Sequence, residues 1–468
     1  MGQPRPSDAF SMSLAHYMTG IICDNESATE DAIKEYKAAI SLEPNVSLIH
    51  TRLAVDYILT KNEIPAVEEL KTAKSLDPAD ARPKFLLALA YTSLNRFEDA
   101  RKEYEEIARM NPDSVWALSS LADIFVLQQK MAEAAAVYEK LIEKKKDAAI
   151  LYFNLGVIYS RMGKTDEAIE KLKEAVRIEP GYVEAYIGLG ILHEIKKDDK
   201  GAIRYFEKAL EKEPFNPRLY HHLGTLYYKD KNIVASIRLY ERLLKSNPND
   251  AEAYIELSNI YLSRGKTNKA GTVLERGVKR GIRDAALYAA LGYANSVQDK
   301  NDKALEFYNK ALEIDRNEPR VHFYIGALYE KLGNSEGAYK ELREAIRLDP
   351  EFSEAYNYMG FMLADRGQDL DESVLLIKKA LELDPDNGAY IDSLGWAYFK
   401  KGMTDEALIE LEKAVNLDPE DPEIRYHLGE VYLKKGMKNK ARGELKKALE
   451  LKPRQDLRDK IMKSIGKR

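Results

Sequence analysis

A single cysteine, two tryptophans and almost no excess charge of either sign are what this chain has little of. The lone Cys23 excludes an intramolecular disulfide framework. It falls at an apolar packing position and reads as a small buried hydrophobe rather than a reactive thiol. No apolar run approaches the roughly 18 residues a helix needs to span a bilayer, so no membrane span is expected. The first residues, Met1 to Ser7, are polar and proline-containing. They lack the basic-then-apolar pattern of an export signal, and the chain as given is expected to be cytoplasmic. Seventy-two basic residues stand against 77 acidic ones, a formal charge of −5. That balance argues against nucleic acid or a membrane surface as the partner. Charges alternate along stretches such as Glu170-Lys171-Leu172-Lys173-Glu174, the pattern of a solvated helix face.

Signatures of chemistry are also missing. His221 and His222 are adjacent and point about 100° apart on a helix, so they share no ligand face. His193-Glu194 lacks the second histidine of a zinc-protease helix. Asp384-Pro385-Asp386-Asn387-Gly388 has its glycine one place early for a calcium loop and no bidentate glutamate after it, and reads as a turn. Gly188-Leu189-Gly190 lacks the third glycine and the preceding strand of a dinucleotide fingerprint. There is no phosphate loop and no nucleophile elbow. The chain is expected to have no catalytic residue, no metal and no cofactor, and not to be an enzyme.

What is present is a period. Pro44, Pro78 and Pro112 are 34 residues apart, as are Pro180, Pro214 and Pro248. Pro350 keeps the same phase, and after one 35-residue step to Pro385 the spacing resumes at Pro419 and Pro453. A fixed interval of this length signifies stacked supersecondary units rather than one globular core. Thirteen units start at 13, 47, 81, 115, 149, 183, 217, 251, 285, 319, 353, 388 and 422. They leave residues 1–12 as an N-terminal extension and 456–468 as a C-terminal capping helix with Leu457, Ile461 and Ile465 at four-residue spacing. That last stretch is basic, with Arg458, Lys460, Lys463, Lys467 and Arg468. A separate catalytic domain needs on the order of 50 residues, so none is expected at either end of the chain as given.

Within each unit the eighth position is small, as Gly20, Ala54, Gly190 and Gly395 illustrate, and so is the twentieth, as in Ala32, Ala202 and Ala407. Position 7 is usually leucine and position 11 usually aromatic. Positions 4, 7, 8 and 11 form one face of an α-helix, and positions 20, 24 and 27 form the face of a second. Gly163, Gly265, Gly333, Gly402 and Gly436 at position 15 suit a left-handed terminator of the first helix. Thr165, Asp199, Thr267, Asn301, Ser335 and Thr404 at position 17 suit an N-cap of the second. Asn216-Pro217 and Asp421-Pro422 place a cap and then a proline at the start of the next first helix. No run alternates as a strand would, so the chain is expected to be all-α.

Small residues at positions 8, 20 and 27 with proline at 32, recurring over residues 13–455, resemble the tetratricopeptide repeat (TPR) family. The resemblance implies a right-handed α-solenoid, a superhelix of about thirteen helix-turn-helix units. It also implies a non-enzymatic adaptor or scaffold whose groove binds a protein or peptide partner. Units 4, 8 and 9 depart by carrying Lys146, Ile282 and Arg316 at the closing proline, and the unit from 353 has an extra residue near Gln368–Leu370.

In TPR-like proteins positions 2, 5, 9 and 12 of the first helix tend to face the concave groove. Early units place Leu48, Val55, Phe85, Leu89 and Trp116 there. Middle units place His221, Thr225, Tyr228, Ile255 and Asn259, and late units Tyr293, Phe323, Phe361, Trp396, Phe399 and Tyr426. Taken one at a time, several of these also suit packing between neighbouring repeats; as a stripe they favour burial against a partner. Tyr358, Phe361, Asp392, Trp396 and Phe399 form the expected hot spot, the aromatics as anchors and Asp392 as an orienting acceptor. No unit has lysine at position 5, against a clamp for C-terminal carboxylates, and only Asn154 sits at position 6, against an asparagine ladder.

Residues 363–415, with the extra residue after Arg366-Gly367 and then Asp392-Ser393-Leu394-Gly395-Trp396, resemble bacterial TPR lipoproteins that act as adaptors of periplasmic processing proteases. That narrower resemblance implies a periplasmic or outer-membrane-anchored location as the alternative to the cytoplasm. The alternative function is a structural scaffold that builds a homo-oligomer or a multiprotein assembly.

Overall fold

A computed structural model describes residues 6–112 and 114–466. Among the described residues the regular structure is entirely helical. In chain order the helices are α1 (Pro6–Asn25), α2 (Thr29–Leu42), α3 (Ser47–Leu59), α4 (Glu63–Leu76), α5 (Ala81–Ser93), α6 (Phe97–Met110), α7 (Val115–Leu127), α8 (Met131–Lys144), α9 (Ala149–Arg161), α10 (Thr165–Ile178), α11 (Val183–Ile195), α12 (Asp199–Lys212), α13 (Pro217–Lys229) and α14 (Ile233–Ser246). They continue as α15 (Ala251–Ser263), α16 (Thr267–Lys279), α17 (Ala285–Ser296), α18 (Asn301–Ile314), α19 (Pro319–Lys331), α20 (Ser335–Leu348), α21 (Ser353–Arg366), α22 (Leu370–Leu383), α23 (Gly388–Lys401), α24 (Thr404–Leu417), α25 (Pro422–Lys434), α26 (Lys438–Glu450) and α27 (Gln455–Gly466). Odd numbers up to α25 are first helices and even numbers are second helices. The chain divides into two compact bodies, one ending at Asn232 and the other beginning at Ile233. Within each, first and second helices stack in alternation, the all-α solenoid arrangement, with α13 the last helix of one body and α14 the first of the other.

From α3 to α25 the first helices begin at residues 47, 81, 115, 149, 183, 217, 251, 285, 319, 353, 388 and 422. The first helix, α1, begins at Pro6, ahead of position 13, and residues 1–5 lie outside the described residues. At the other end α27 lays Leu457 and Ile461 against Leu445 and Ala448, with Ile465 alongside. Lys467 and Arg468 lie outside the described residues.

The contact that makes a pair is a small residue at position 8 of the first helix against a large one at position 24 of the second. A Cβ added to Gly190 would stand 2.6 Å from the Phe206 ring. On Gly292 it would stand 2.5 Å from the Tyr308 ring, and on Gly395 it would stand 2.6 Å from Leu411. Tyr36, Phe206, Tyr308 and Leu411 are fully or almost fully buried as a result. Cys23 is half-buried beside the cluster around Ala32 and Tyr36. Burial first, then the carboxylates of Asp31 and Glu35, push its thiol above the usual value, which disfavours the reactive thiolate.

The turn inside each pair is left-handed at position 15 throughout. Gly163, Gly265, Gly333, Gly367, Gly402 and Gly436 take φ between 66° and 85° there. The same backbone is imposed on Ser27, Lys61, Asn95, Gln129, Lys197, Lys231 and Asp299, at φ 57–60°. The polar residues at position 17 are not N-caps. Thr165, Asp199, Thr267, Asn301, Ser335 and Thr404 are each the first helical residue, because a single connecting residue follows the left-handed one. The capping place is position 16, where Asp198 accepts from Gly201 N and Asn334 from Gly337 N. Asn216 and Asp421 do cap the helices that open with Pro217 and Pro422. In the 353 unit the extra residue falls between Gly367 and the N-cap Asp369, which is itself left-handed at φ 38°.

Pairs are joined by a latch the period did not announce. A donor at position 4 reaches the carbonyl at position 32 of the preceding unit. His50 Nε2 lies 2.8 Å from Pro44 O, and Tyr220 Oη donates to Pro214 O at 3.1 Å. Tyr254 Oη donates to Pro248 O at 3.2 Å, and Arg425 Nε to Pro419 O at 2.8 Å. These bonds satisfy backbone acceptors left over where a helix ends.

Gly190→Ala is expected to weaken the α11–α12 pair by about 1–3 kcal/mol through overpacking against Phe206. Lys197→Gly is expected to strengthen the same pair by about 0.5–1 kcal/mol by releasing the left-handed strain. Hydrogen exchange of the α11 and α12 amides reads both. Unchanged protection in Gly190→Ala would show that the close approach carries no energetic weight.

Candidate functional site

The aromatic residues of the body that begins at Ile233 gather on successive first helices. Tyr293 on α17 is exposed and lies 5.6 Å, centroid to centroid, from Tyr324 on α19. Phe323 packs 5.3 Å from Phe352 and edge-on, 5.4 Å, against Tyr358 of α21. Phe361 follows one turn later, half-buried, 6.2 Å from the ring of His427 on α25. These offset and edge-to-face contacts are the arrangements that ring quadrupoles favour.

The centre of the row is α23 against α25. Trp396 is stacked between Phe399, 5.2 Å away at 25°, and His427, 4.1 Å away at 21°. Tyr426 flanks it at 6.3 Å. Trp396 Nε1 donates to Asp365 Oδ1 at 3.3 Å, and Lys400, lying 5.2 Å over the indole, donates to Asp365 O at 2.6 Å. The His427 Nδ1 atom lies 2.9 Å from both oxygens of Asp392. This pair is deeply buried, His427 at 3% and Asp392 at 6% exposure. Burial acts to lower the histidine pKa, but the Asp392 carboxylate outweighs it and leaves the group above its ordinary value. Burial first, with Glu330 close by, pushes Tyr358 up to about 12, so its hydroxyl stays neutral.

This geometry changes the part assigned to two expected hot-spot residues. Trp396 is only 6% exposed; it is mortar between two repeats rather than an open anchor. Asp392 is not free to orient a partner, because His427 from the next repeat occupies both its oxygens. Tyr358, Phe361, Phe399, Phe323 and Tyr426 are half-buried, each keeping an accessible part. Asn259 is exposed on α15, and none of the ring contacts above reaches it. His221, half-buried, and Tyr228, exposed, are on α13 in the body that ends at Asn232. In that same body Trp116 is exposed and meets Phe85 edge-on at 4.5 Å.

Reading single units misses His427, Asp365 and Asn357. The signal for the first is a histidine at position 6 of one unit following an aspartate at position 5 of the unit before. Histidines in general serve as structural partners of carboxylates here. His16 faces Glu35, His50 faces Glu69 and His322 faces Glu341, each across its own pair at 2.6–2.7 Å. Among the described residues no group of three metal-ligating side chains converges, and no helix is long and apolar enough to cross a membrane.

Because the folded-state pKa of His427 is raised above 6.5, its contribution is complete below 6.5 and is lost as pH climbs through the folded value. Protection of α25 in hydrogen exchange is therefore expected to fall as pH rises above 6.5 in the parent chain and to stay level in Asp392→Asn. His427→Ala, which strands a buried carboxylate, is expected to cost about 3–5 kcal/mol. Identical pH profiles for the parent chain and Asp392→Asn would remove the charged pair.

A TPR repeat model matches residues 297–333 and 395–436. Tetratricopeptide repeat models match 85–149, 147–212, 227–292, 319–352 and 422–455. Small glutamine-rich tetratricopeptide repeat-containing protein 2 of Mycosarcoma maydis is 32% identical over 84 residues, 18% of this chain and 24% of that protein. A TPR repeat-containing protein of Pseudomonas aeruginosa is 32% identical over 104 residues, 22% of this chain and 18% of its own. Heat shock protein STI1 of Saccharomyces cerevisiae is 35% identical over 94 residues, 20% of this chain and 16% of its own. Each match thus spans less than a quarter of the relative's length. Among solved structures, a chain of the APC/C hetero-tetramer Cut9-Hcn1 aligns over 99% of this chain and 97% of its own, with 14% identity and a TM-score of 0.47. Yeast Tom70 aligns over 97% and 94%, with 18% identity and a TM-score of 0.40. The repeat models together cover more than half of the sequence, and the chain belongs to the tetratricopeptide repeat family.

Proposed function

We propose that this chain is a non-enzymatic adaptor that holds peptide or protein segments along the first-helix face running from Tyr293 to Tyr426. The observation that carries the reading is the row of half-buried aromatics, Phe323, Tyr358, Phe361, Phe399 and Tyr426, seated on a packed layer and still partly open. Rigid aromatic surface is what interface hot spots are made of. Relatives named as organizing proteins of Hsp70 and Hsp90 in Arabidopsis thaliana and Triticum aestivum match about a fifth of the chain at 27–29% identity. Their names point the same way, toward protein partners. Position 5 holds no lysine in any unit, so recognition of a terminal carboxylate by a lysine clamp is not part of this proposal.

A second reading, self-association, is favoured by one feature. Phe10, Leu14, Met18 and Ile22 recur every four residues along α1, and all four are exposed. A second copy presenting the same stripe would cover it isologously.

Phe399→Ala and Phe361→Ala are expected to lower capture of peptides by about tenfold each, a loss of roughly 1.4 kcal/mol per ring, with helix content unchanged. Retained capture in the double variant would reject the aromatic face as the site. Light scattering at high concentration tests the second reading. A parent chain that remains monomeric rejects it, and a dimer that Met18→Glu dissolves supports it.

A further inference from the structure

One cleft on the same face has a chemistry of its own. It encloses about 170 Å³ between α21, α23 and α25, with Tyr358 and Phe361 as aromatic wall. Its polar rim is Asn357, Asp392, Asp421 and Glu423, with no lysine or arginine in the lining. A cavity of roughly 150 Å³ accommodates a benzene-sized group, so the space suits one side chain rather than a folded element.

The rim groups differ in what they have left to give. Asp392 is engaged by His427. Asp421 caps α25 by accepting from Glu423 N and Ile424 N. The Asn357 Oδ1 atom, by contrast, is buried and has no hydrogen-bond partner among the described residues, a state that costs free energy until a donor arrives. The Glu423 carboxylate makes no ion pair among the described residues. Four cations on the same helices are committed elsewhere: Arg366 to Glu330, Lys400 to Asp365, Lys401 to Asp371 and Arg425 to Glu444. An acceptor without a donor, a carboxylate outside any ion pair whose nearest positive charge is His427, and two aromatic rings in the lining together describe the complement of a positively charged group.

We infer that this cleft is a subsite for the cationic side chain, lysine or arginine, of a bound peptide. The inference rests on the peptide-holding reading above and specifies its chemistry. The cation enters between Tyr358 and Phe361, donates to Asn357 Oδ1 and is neutralised by Glu423. Asp392, in the lining, is held in place by His427 behind it.

The chain has two tryptophans, Trp116 and Trp396. A Trp116→Phe background therefore leaves the indole that stacks on His427 as sole reporter. Nα-acetyl-lysine amide and Nα-acetyl-arginine amide are titrated against the neutral Nα-acetyl-norleucine amide. A saturable change in Trp396 emission is expected with the cations, weakening about tenfold in Glu423→Gln and in Asn357→Leu. Equal response to the neutral probe, no saturable response to any probe, or cation binding indifferent to both substitutions would overturn the inference. Peptide selection on the full chain separates it from the broader reading. Peptides captured through Phe399 but without lysine or arginine preference sink the cationic subsite and leave the adaptor standing. Cation binding that persists when no peptide is captured sinks the adaptor alone.

Discussion

The close approach of two helices at a small residue is the constraint on which the rest depends. With glycine at position 8, the ring or branched end of position 24 sits where a Cβ would have been. The two backbones then come near enough for positions 4, 7 and 11 to bury their side chains on both sides of the contact. A pair built this way still has one apolar flank uncovered, and only another pair can cover it. Stacking is thus a consequence of the packing inside the pair. The latch from position 4 to the preceding unit's carbonyl then sets how consecutive pairs meet.

The same constraint explains what could be read from the amino acids. Proline at 32 and the small residues at 8 and 20 answer a local problem that every unit solves alike, so repetition alone exposes them. The first helices from α3 to α25 begin 34 residues apart, with one step of 35, for that reason. Position 15 is different. Lys61, Gln129, Lys197 and Lys231 give no sign of left-handed backbone, yet the fold imposes it on them as firmly as on Gly163. Tertiary packing on either side of the turn overrides a local preference worth about 1–2 kcal/mol. The displaced N-caps follow from the same turn: its length, not the identity of Thr165 or Ser335, decides which residue begins the second helix.

The candidate site was legible in outline and obscure at its centre. Aromatics at positions 2, 5, 9 and 12 were visible as a stripe, and Phe361, Phe399 and Tyr426 retain accessible surface. The burial of Trp396 and Asp392 was not visible, because it depends on position 6 of the next repeat. His427 stacks on one and pairs with the other. A contact between positions 5 and 6 of neighbouring units has no period of its own; it exists where two particular residues happen to meet.

That junction also accounts for why the face is stiff enough to be useful. Ordering flexible side chains on binding costs about 0.5–1.5 kcal/mol apiece. Here the ordering is done beforehand: the indole is clamped by Phe399, His427 and the Asp365 carboxylate, and the imidazole by Asp392. A buried ionic pair is an expensive way to gain stability, since desolvation consumes most of the Coulomb energy. What the pair adds is geometry: His427 Nδ1 within 2.9 Å of both Asp392 oxygens ties one point on α25 to one point on α23. Around that pair the rings add contacts of their own, Tyr358 edge-on against Phe323 and Phe361 beside His427, so the face is ordered by packing on α21 as well as on α25.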